Sequence, residues 1–198
     1  MKSIFALCLS LCLLAGCAAP GDTPAQKRAA IQQMRTDTLT RLYKQYPEAR
    51  KEVSSAAGYA VFSNVGNNLL LVSSGNGYGV VREKRSGKDS YMKMATLGVG
   101  LGLGIKDFQS VILFRDQKSL SYFIEHGWDS GVQSDATLKS GKKGGSVVDA
   151  AAAANYEKIK VYNLTASGIA LQATVQGYKY WLDDELNGRK SAPVASAK

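Results

Sequence analysis

The residues able to do chemistry in this chain are few and scattered. Its single histidine, His126, stands before Gly127-Trp128 at the predicted end of a helix. A lone imidazole in that place reads as a cap or a surface group, since general acid–base work needs a partner within hydrogen-bond reach. The sequence holds no G-x-S-x-G turn and no histidine cluster for zinc. Asp183-Asp184-Glu185 gathers three carboxylates, but on a predicted terminal helix they read as a solvated face. Neither an enzyme nor a metal centre is expected. What remains is positive charge beside flexible backbone. Arg82, Lys84, Arg85 and Lys88 crowd a predicted hairpin tip, and Lys139, Lys142 and Lys143 lie in the glycine-rich run 139–146. Ammonium and guanidinium groups beside glycine N–H donors suit phosphate. Two solvated loops account for the same residues equally well.

Ala95 to Asp107 reads ATLGVGLGLGIKD, with glycine at 98, 100, 102 and 104. The dinucleotide fingerprint G-x-G-x-x-G fits in no register, because positions 103 and 105 are Leu and Ile. Gly141-Lys142 and Gly87-Lys88 both lack the Ser or Thr that a phosphate-binding P-loop needs next. As a helix the segment would lose about 1 kcal/mol per glycine relative to alanine, and it is too short to span a bilayer. Alternation at period two predicts a strand with one apolar face and one bare face, against which an aromatic ring or a helix can pack closely.

The amino terminus carries a different chemistry. Met1-Lys2, an apolar run over Ile4–Leu14 and small residues make a secretory leader. Leu14-Ala-Gly-Cys17 resembles the lipobox of bacterial lipoproteins. That resemblance implies cleavage before Cys17 and attachment of diacylglycerol and a fatty acyl chain to it. Burial of each methylene contributes about 0.8 kcal/mol, so two chains give a lasting anchor. Ala18, where a retained inner-membrane lipoprotein would show Asp, implies the outer membrane facing the periplasm. Cys8 and Cys12 leave with the leader, so no cysteine follows Cys17 and stability must come from a packed core. The formal charge is +9, and +8 once Lys2 is removed. A basic surface near a membrane attracts anionic headgroups.

The elements that position these groups fall into two zones. Thr23 and Pro24 cap a helix over Gln26–Gln45, whose stripe Ile31, Met34, Leu39, Leu42, Tyr43 and Tyr46 packs on the domain while its basic residues face water. A second short helix is expected over Pro47–Ser55. Short strands follow at Tyr59–Phe62, Leu69–Val72, Tyr78–Arg82 and Tyr91–Met94, with turns at Asn67-Asn68 and Gly75-Asn-Gly77. Then come the glycine segment, a strand at Ser110–Phe114, a helix at Asp116–Glu125, strands at Ile159–Tyr162 and Ile169–Val175, and a short helix at Tyr178–Leu186. The fold expected is α+β: amphipathic helices, then a mostly antiparallel, strongly curled or barrel-like sheet with one or two short helices. The domain plan is a leader over 1–16, a tether over 17–25, one domain over 26–187 and a disordered tail over 188–198. The alanine run 150–154 has no assignment.

Several motifs, in order, resemble those of the SYLF-domain family. They are Tyr46-Pro-Glu-Ala49 and Ala57-Gly-Tyr-Ala-Val-Phe62, then Gly75-Asn-Gly-Tyr-Gly-Val-Val81, then Gly100–Phe114, and last Ser167–Gly177 with Asp183–Asn187. The resemblance covers about Leu42–Asn187. It implies a lipid-binding module, whose eukaryotic members bind phosphoinositides and in some cases actin. Neither of those ligands carries over to a periplasmic chain. The expected function is thus a membrane-anchored lipoprotein binding anionic phospholipid headgroups through Arg82, Lys84, Arg85, Lys88, Lys139, Lys142 and Lys143. The alternative is a non-enzymatic envelope scaffold or stress lipoprotein that binds proteins or wall polymer, with Tyr178, Tyr180 and Trp181 as contacts or as core. No cofactor beyond the acyl groups on Cys17, and no nucleic-acid partner, is expected.

Overall fold

The computed structural model describes residues 19–69, 72–99, 107–129, 158–165 and 175–189. Helix α1 (Pro24–Gln45) opens with a reciprocal cap. Thr23 Oγ1 accepts from Gln26 N at 3.2 Å, and Gln26 Oε1 accepts from Thr23 N at 3.0 Å. Pro24 takes the first helical position, where its missing N–H costs nothing. Ile31, Met34, Thr38 and Leu42 form the buried stripe, and Pro47 ends the run. Helix α2 (Ala49–Ser55) follows, two residues shorter at its start than expected, with Pro47 just outside it.

Strands β1 (Gly58–Leu69), β2 (Val72–Glu83), β3 (Asp89–Val99), β4 (Asp107–Phe114), β6 (Ile159–Thr165) and β7 (Val175–Leu182), with the two-residue β5 (Trp128–Asp129), form one antiparallel sheet. The order is β5-β7-β3-β2-β1-β4-β6. Helix α3 (Gln117–His126) connects β4 to β5 and is capped by Asp116, which accepts from Ser119 N at 2.8 Å.

The α+β expectation holds, but the strongly curled or barrel-like sheet does not: among the described residues β5 and β6 end the strand order and do not pair with each other. The sheet is covered on both faces. On one, α1 and α2 pack Ile31, Met34, Leu42 and Val53 over Val61, Val80, Val111, Leu113 and Leu164. On the other, α3 sets Leu120 and Phe123 against Phe62, Met92, Ile112, Phe114 and Tyr180. Phe108 and Tyr178 lie four strand spacings apart, roughly 19 Å in a flat sheet, yet their ring centroids are 6.2 Å apart. The sheet therefore bends toward α3. Among the described residues the core runs from Ala19 to Leu186.

Three local expectations fail. Asn67-Asn68 and Gly75-Asn-Gly77 are not turns but parts of two long paired strands. Gly75, Gly77 and Gly79 share the face turned to α3, where larger neighbours fill the missing side chains. A Cβ on Gly77 would lie 2.7 Å from Met94 Cγ, and one on Gly79 would lie 2.8 Å from Phe62 Cε1. Close packing, not turning, requires these glycines. The predicted helix at Tyr178–Leu186 is instead strand β7 followed by a turn. Tyr178, Tyr180 and Leu182 pack on the α3 side, while Lys179 and Trp181 alternate with them. Of the glycine segment, Gly98 lies in β3 opposite Ser73 and Gln176; Gly100, Gly102 and Gly104 fall outside the described residues.

Candidate functional site

The β2–β3 hairpin builds a rigid, basic tip. Gly87 turns the chain at φ 69, a conformation costly for other residues. Gly87 N donates to Glu83 O at 2.9 Å and Glu83 N to Lys88 O at 3.0 Å. The Glu83 carboxylate accepts from Ser86 Oγ within the tip and from Gln117 Nε2 of α3. The Ser86 bond, followed by that of Gln117 and the nearby Arg85 and Lys88 charges, holds this carboxyl below its ordinary range despite some desolvation.

Four tip cations were candidates, and the structure divides them. Arg82 is committed: its Nε lies 3.3 Å from Asp89 Oδ1 and its guanidinium donates to Gly87 O. Asp89 also takes Arg35 at 3.2 Å and Gln32 at 2.9 Å, so this cluster pins α1 to the hairpin. Lys84 is committed too. Its Nζ donates to Val53 O at 3.3 Å and to Ser54 O, satisfying carbonyls left open at the end of α2. Arg85 and Lys88 are exposed, with no side-chain partner among the described residues. Cys17, Lys139, Lys142 and Lys143 lie outside the described residues.

Topology adds cations that sequence reading missed. Gly58 pairs with both Glu83 and Phe114, which places the hairpin tip, the β4–α3 junction and the start of β6 at one end of the sheet. Exposed Lys118 and Arg115 stand there, as does Lys158, whose Nζ is 3.6 Å from Asp116. Lys51 of α2 is exposed as well. No local pattern marks them, because three separate elements bring them to one end.

Beyond the tip, the bent face holds a small polar group. Asn64 and Ser110 are each 1% exposed, and Asn64 Oδ1 and Ser110 Oγ have no hydrogen-bond partner among the described residues. Thr96 lies near: a Cβ on Gly75 would be 2.6 Å from Thr96 Oγ1 and 2.7 Å from Asn64 Nδ2. An amide and two hydroxyls offer hydrogen-bond donors and acceptors. His126 is exposed, stacked on Tyr122 with centroids 4.5 Å apart, and its Nδ1 lies 3.3 Å from Tyr122 O. Of the acidic trio, Asp184 and Glu185 are exposed as expected, and Asp183 departs. Asp183 is buried, not solvated; it accepts from Leu186 N at 3.2 Å and pairs with Lys93 at 3.4 Å. Tyr180 is core, whereas Trp181 stays 38% exposed. Among the described residues no three His, Cys, Asp or Glu side chains group as metal ligands, and no helix is long and apolar enough to cross a membrane.

The α1 cations are tied to the domain. Lys27 pairs with Glu185 at 3.1 Å, Arg28 donates to Leu186 O at 3.1 Å and Arg41 donates to Gln109 Oε1 at 2.8 Å. The helix packs on the core as expected, but its basic residues do not simply face water: Lys27, Arg28, Arg35 and Arg41 are held by contacts with the domain.

No protein-family model matches the chain. Over 165 residues it is 34% identical to Beta cell expansion factor A of Aeromonas veronii, an alignment covering 83% of this chain. The chain spans 60% of the length of that curated relative.

Proposed function

We propose that the protein is a lipoprotein anchored through Cys17, whose domain binds anionic phospholipid headgroups. The observation that carries this reading is the hairpin tip. Arg85 and Lys88 are held out on an ordered turn, with no side-chain hydrogen bond or ion pair among the described residues, while Arg82 and Lys84 beside them are consumed by the fold. Lys51, Lys118, Arg115 and Lys158 add positive charge at the same end. Each Lys or Arg near an anionic surface contributes about 1 kcal/mol, fading over a Debye length of about 10 Å at 0.1 M salt. The lipobox and the SYLF resemblance support the same reading. Binding of residues 19–198 to vesicles with and without phosphatidylglycerol tests it. Salt-sensitive binding to the anionic vesicles alone is expected; equal binding to both would count against headgroup recognition.

The second reading is a scaffold for envelope proteins or wall polymer. It draws on Trp181 and Tyr122, large aromatic side chains left exposed on β7 and α3. Crosslinking in cells that captures one dominant protein partner through Trp181→Cys would favour it over lipid.

A further inference from the structure

The proposed function leaves open which way the domain faces the bilayer, and the first described residues bear on that. Ala19 is 6% exposed and belongs to the same core cluster as Ile31 and Leu186. Asp22 N and Thr23 N both donate to Gln26 Oε1, at 2.9 and 3.0 Å, and a Cβ on Gly21 would lie 2.7 Å from Gln26 Cβ. Residues 19–23 therefore lie against the first turn of α1.

That turn has a fixed place. Lys27 and Arg28 bind Glu185 and the Leu186 carbonyl in the turn after β7. The same turn is fastened to β3. Asp183 N donates to Tyr91 O at 3.0 Å, Asn187 Nδ2 donates to Tyr91 O at 2.7 Å, and Tyr91 N donates to Asn187 Oδ1 at 3.0 Å. Tyr91 is three residues beyond Lys88 of the basic tip. The entry of the chain and the tip are thus at one end of the sheet. Cys17 is two residues before Ala19, at most about 7 Å away in an extended chain.

From this juxtaposition we infer that the hairpin-tip end is the surface that docks on an anionic bilayer. It is set there by a short, docked leash rather than by a long flexible one. The charge at this end is lopsided. On the side where the chain enters, exposed Asp22 and Asp184 stand beside exposed Arg189, while Arg85, Lys88, Lys118 and Lys158, the last paired with Asp116, lie toward the hairpin tip, β4 and β6. On an anionic surface the domain tilts so that the tip, not the 183–189 turn, makes the closer approach. The inference rests on the reading of Cys17 as the lipid attachment and deepens the headgroup proposal.

Amide hydrogen exchange read by mass spectrometry tests it. The chain from Cys17 is coupled through that thiol to a maleimide lipid in vesicles containing phosphatidylglycerol, and the chain from Ala19 is mixed with the same vesicles untethered. The tethered protein is expected to lose deuterium uptake at residues 83–88 and 115–118, with residues 67–69 and 72–74, at the other end of the β1–β2 pair, unchanged. Protection at the opposite end, or an unchanged pattern at both, would overturn the orientation. Failure of the untethered chain to sediment with these vesicles would overturn headgroup recognition separately, leaving the tethered pattern to decide the orientation.

Discussion

Removing the two free tip cations separates binding from folding. In Arg85→Ala/Lys88→Ala, no hydrogen bond or ion pair among the described residues is lost, only a weak attraction to the Glu83 carboxylate. Stability should change by less than about 0.5 kcal/mol, the usual range for exposed substitutions. Vesicle affinity should fall by about 2 kcal/mol, taking about 1 kcal/mol per cation, which is roughly 30-fold in Kd. Lys84→Ala should behave in the opposite way. It strips the donor from Val53 O and Ser54 O at the end of α2, costing about 1 kcal/mol of stability, and it weakens vesicle binding less than the double variant does. The assay is sedimentation with phosphatidylglycerol vesicles at about 0.1 M and about 1 M salt, beside urea unfolding of each variant. At the higher salt the Debye length shrinks to about 3 Å and the differences in binding should vanish. The reasoning is refuted if the double variant binds as the parent does at low salt, or if Lys84→Ala loses more binding than the double variant with no loss of stability.

Gly79→Val places branched carbon where the Phe62 ring already sits. Its urea midpoint should fall by the equivalent of about 1–3 kcal/mol or more, with the slope unchanged. Glu52 gives a pH signature. Lys160 Nζ at 2.7 Å and Tyr162 OH at 2.6 Å donate to its carboxylate, and these bonds, Lys160 first, hold its pKa below the ordinary value. A carboxyl lowered on folding adds stability above its unfolded pKa of about 4.3 and loses it as pH falls through the folded value. Wild type should therefore exceed Glu52→Gln in thermal midpoint at pH 7, by the equivalent of no more than about 1 kcal/mol for this half-exposed pair. The gap should close in acid below pH about 4, and a gap independent of pH would contradict the assignment. Ile31→Ala opens a cavity under α1, where Ile31 is fully buried. A loss of about 2–4 kcal/mol is expected in the same urea assay.

What the sequence made legible was local. The Thr23-Pro24 cap, the stripe through Ile31 and Leu42, and Asp116 before α3 each act within a few residues, and each is found in place. A bare glycine face of the kind expected at Gly98–Gly104 is described on β2, where the sequence suggests a turn at Gly75-Asn-Gly77 and a strand only from Tyr78. A glycine in a turn and a glycine under a neighbouring ring look alike until the neighbour is known. Tyr178-Lys-Tyr-Trp-Leu182 carries period two, which the following acidic residues disguised as the start of a helix. The site was half legible. Arg82, Lys84, Arg85 and Lys88 share a tip, but only the fold reveals that Lys84 caps α2, thirty residues away, and that Arg82 shares Asp89 with α1. The docking of Ala19 and the gathering of Lys118 and Lys158 depend wholly on contacts distant in sequence.

The most direct test of a domain held at a bilayer is the mass of its own amino terminus. Protein extracted with detergent from the cell envelope should yield a first peptide that begins at Cys17 and carries the added mass of diacylglycerol and a fatty acyl chain. An unmodified first residue, in protein that salt alone releases from membranes, would contradict the account.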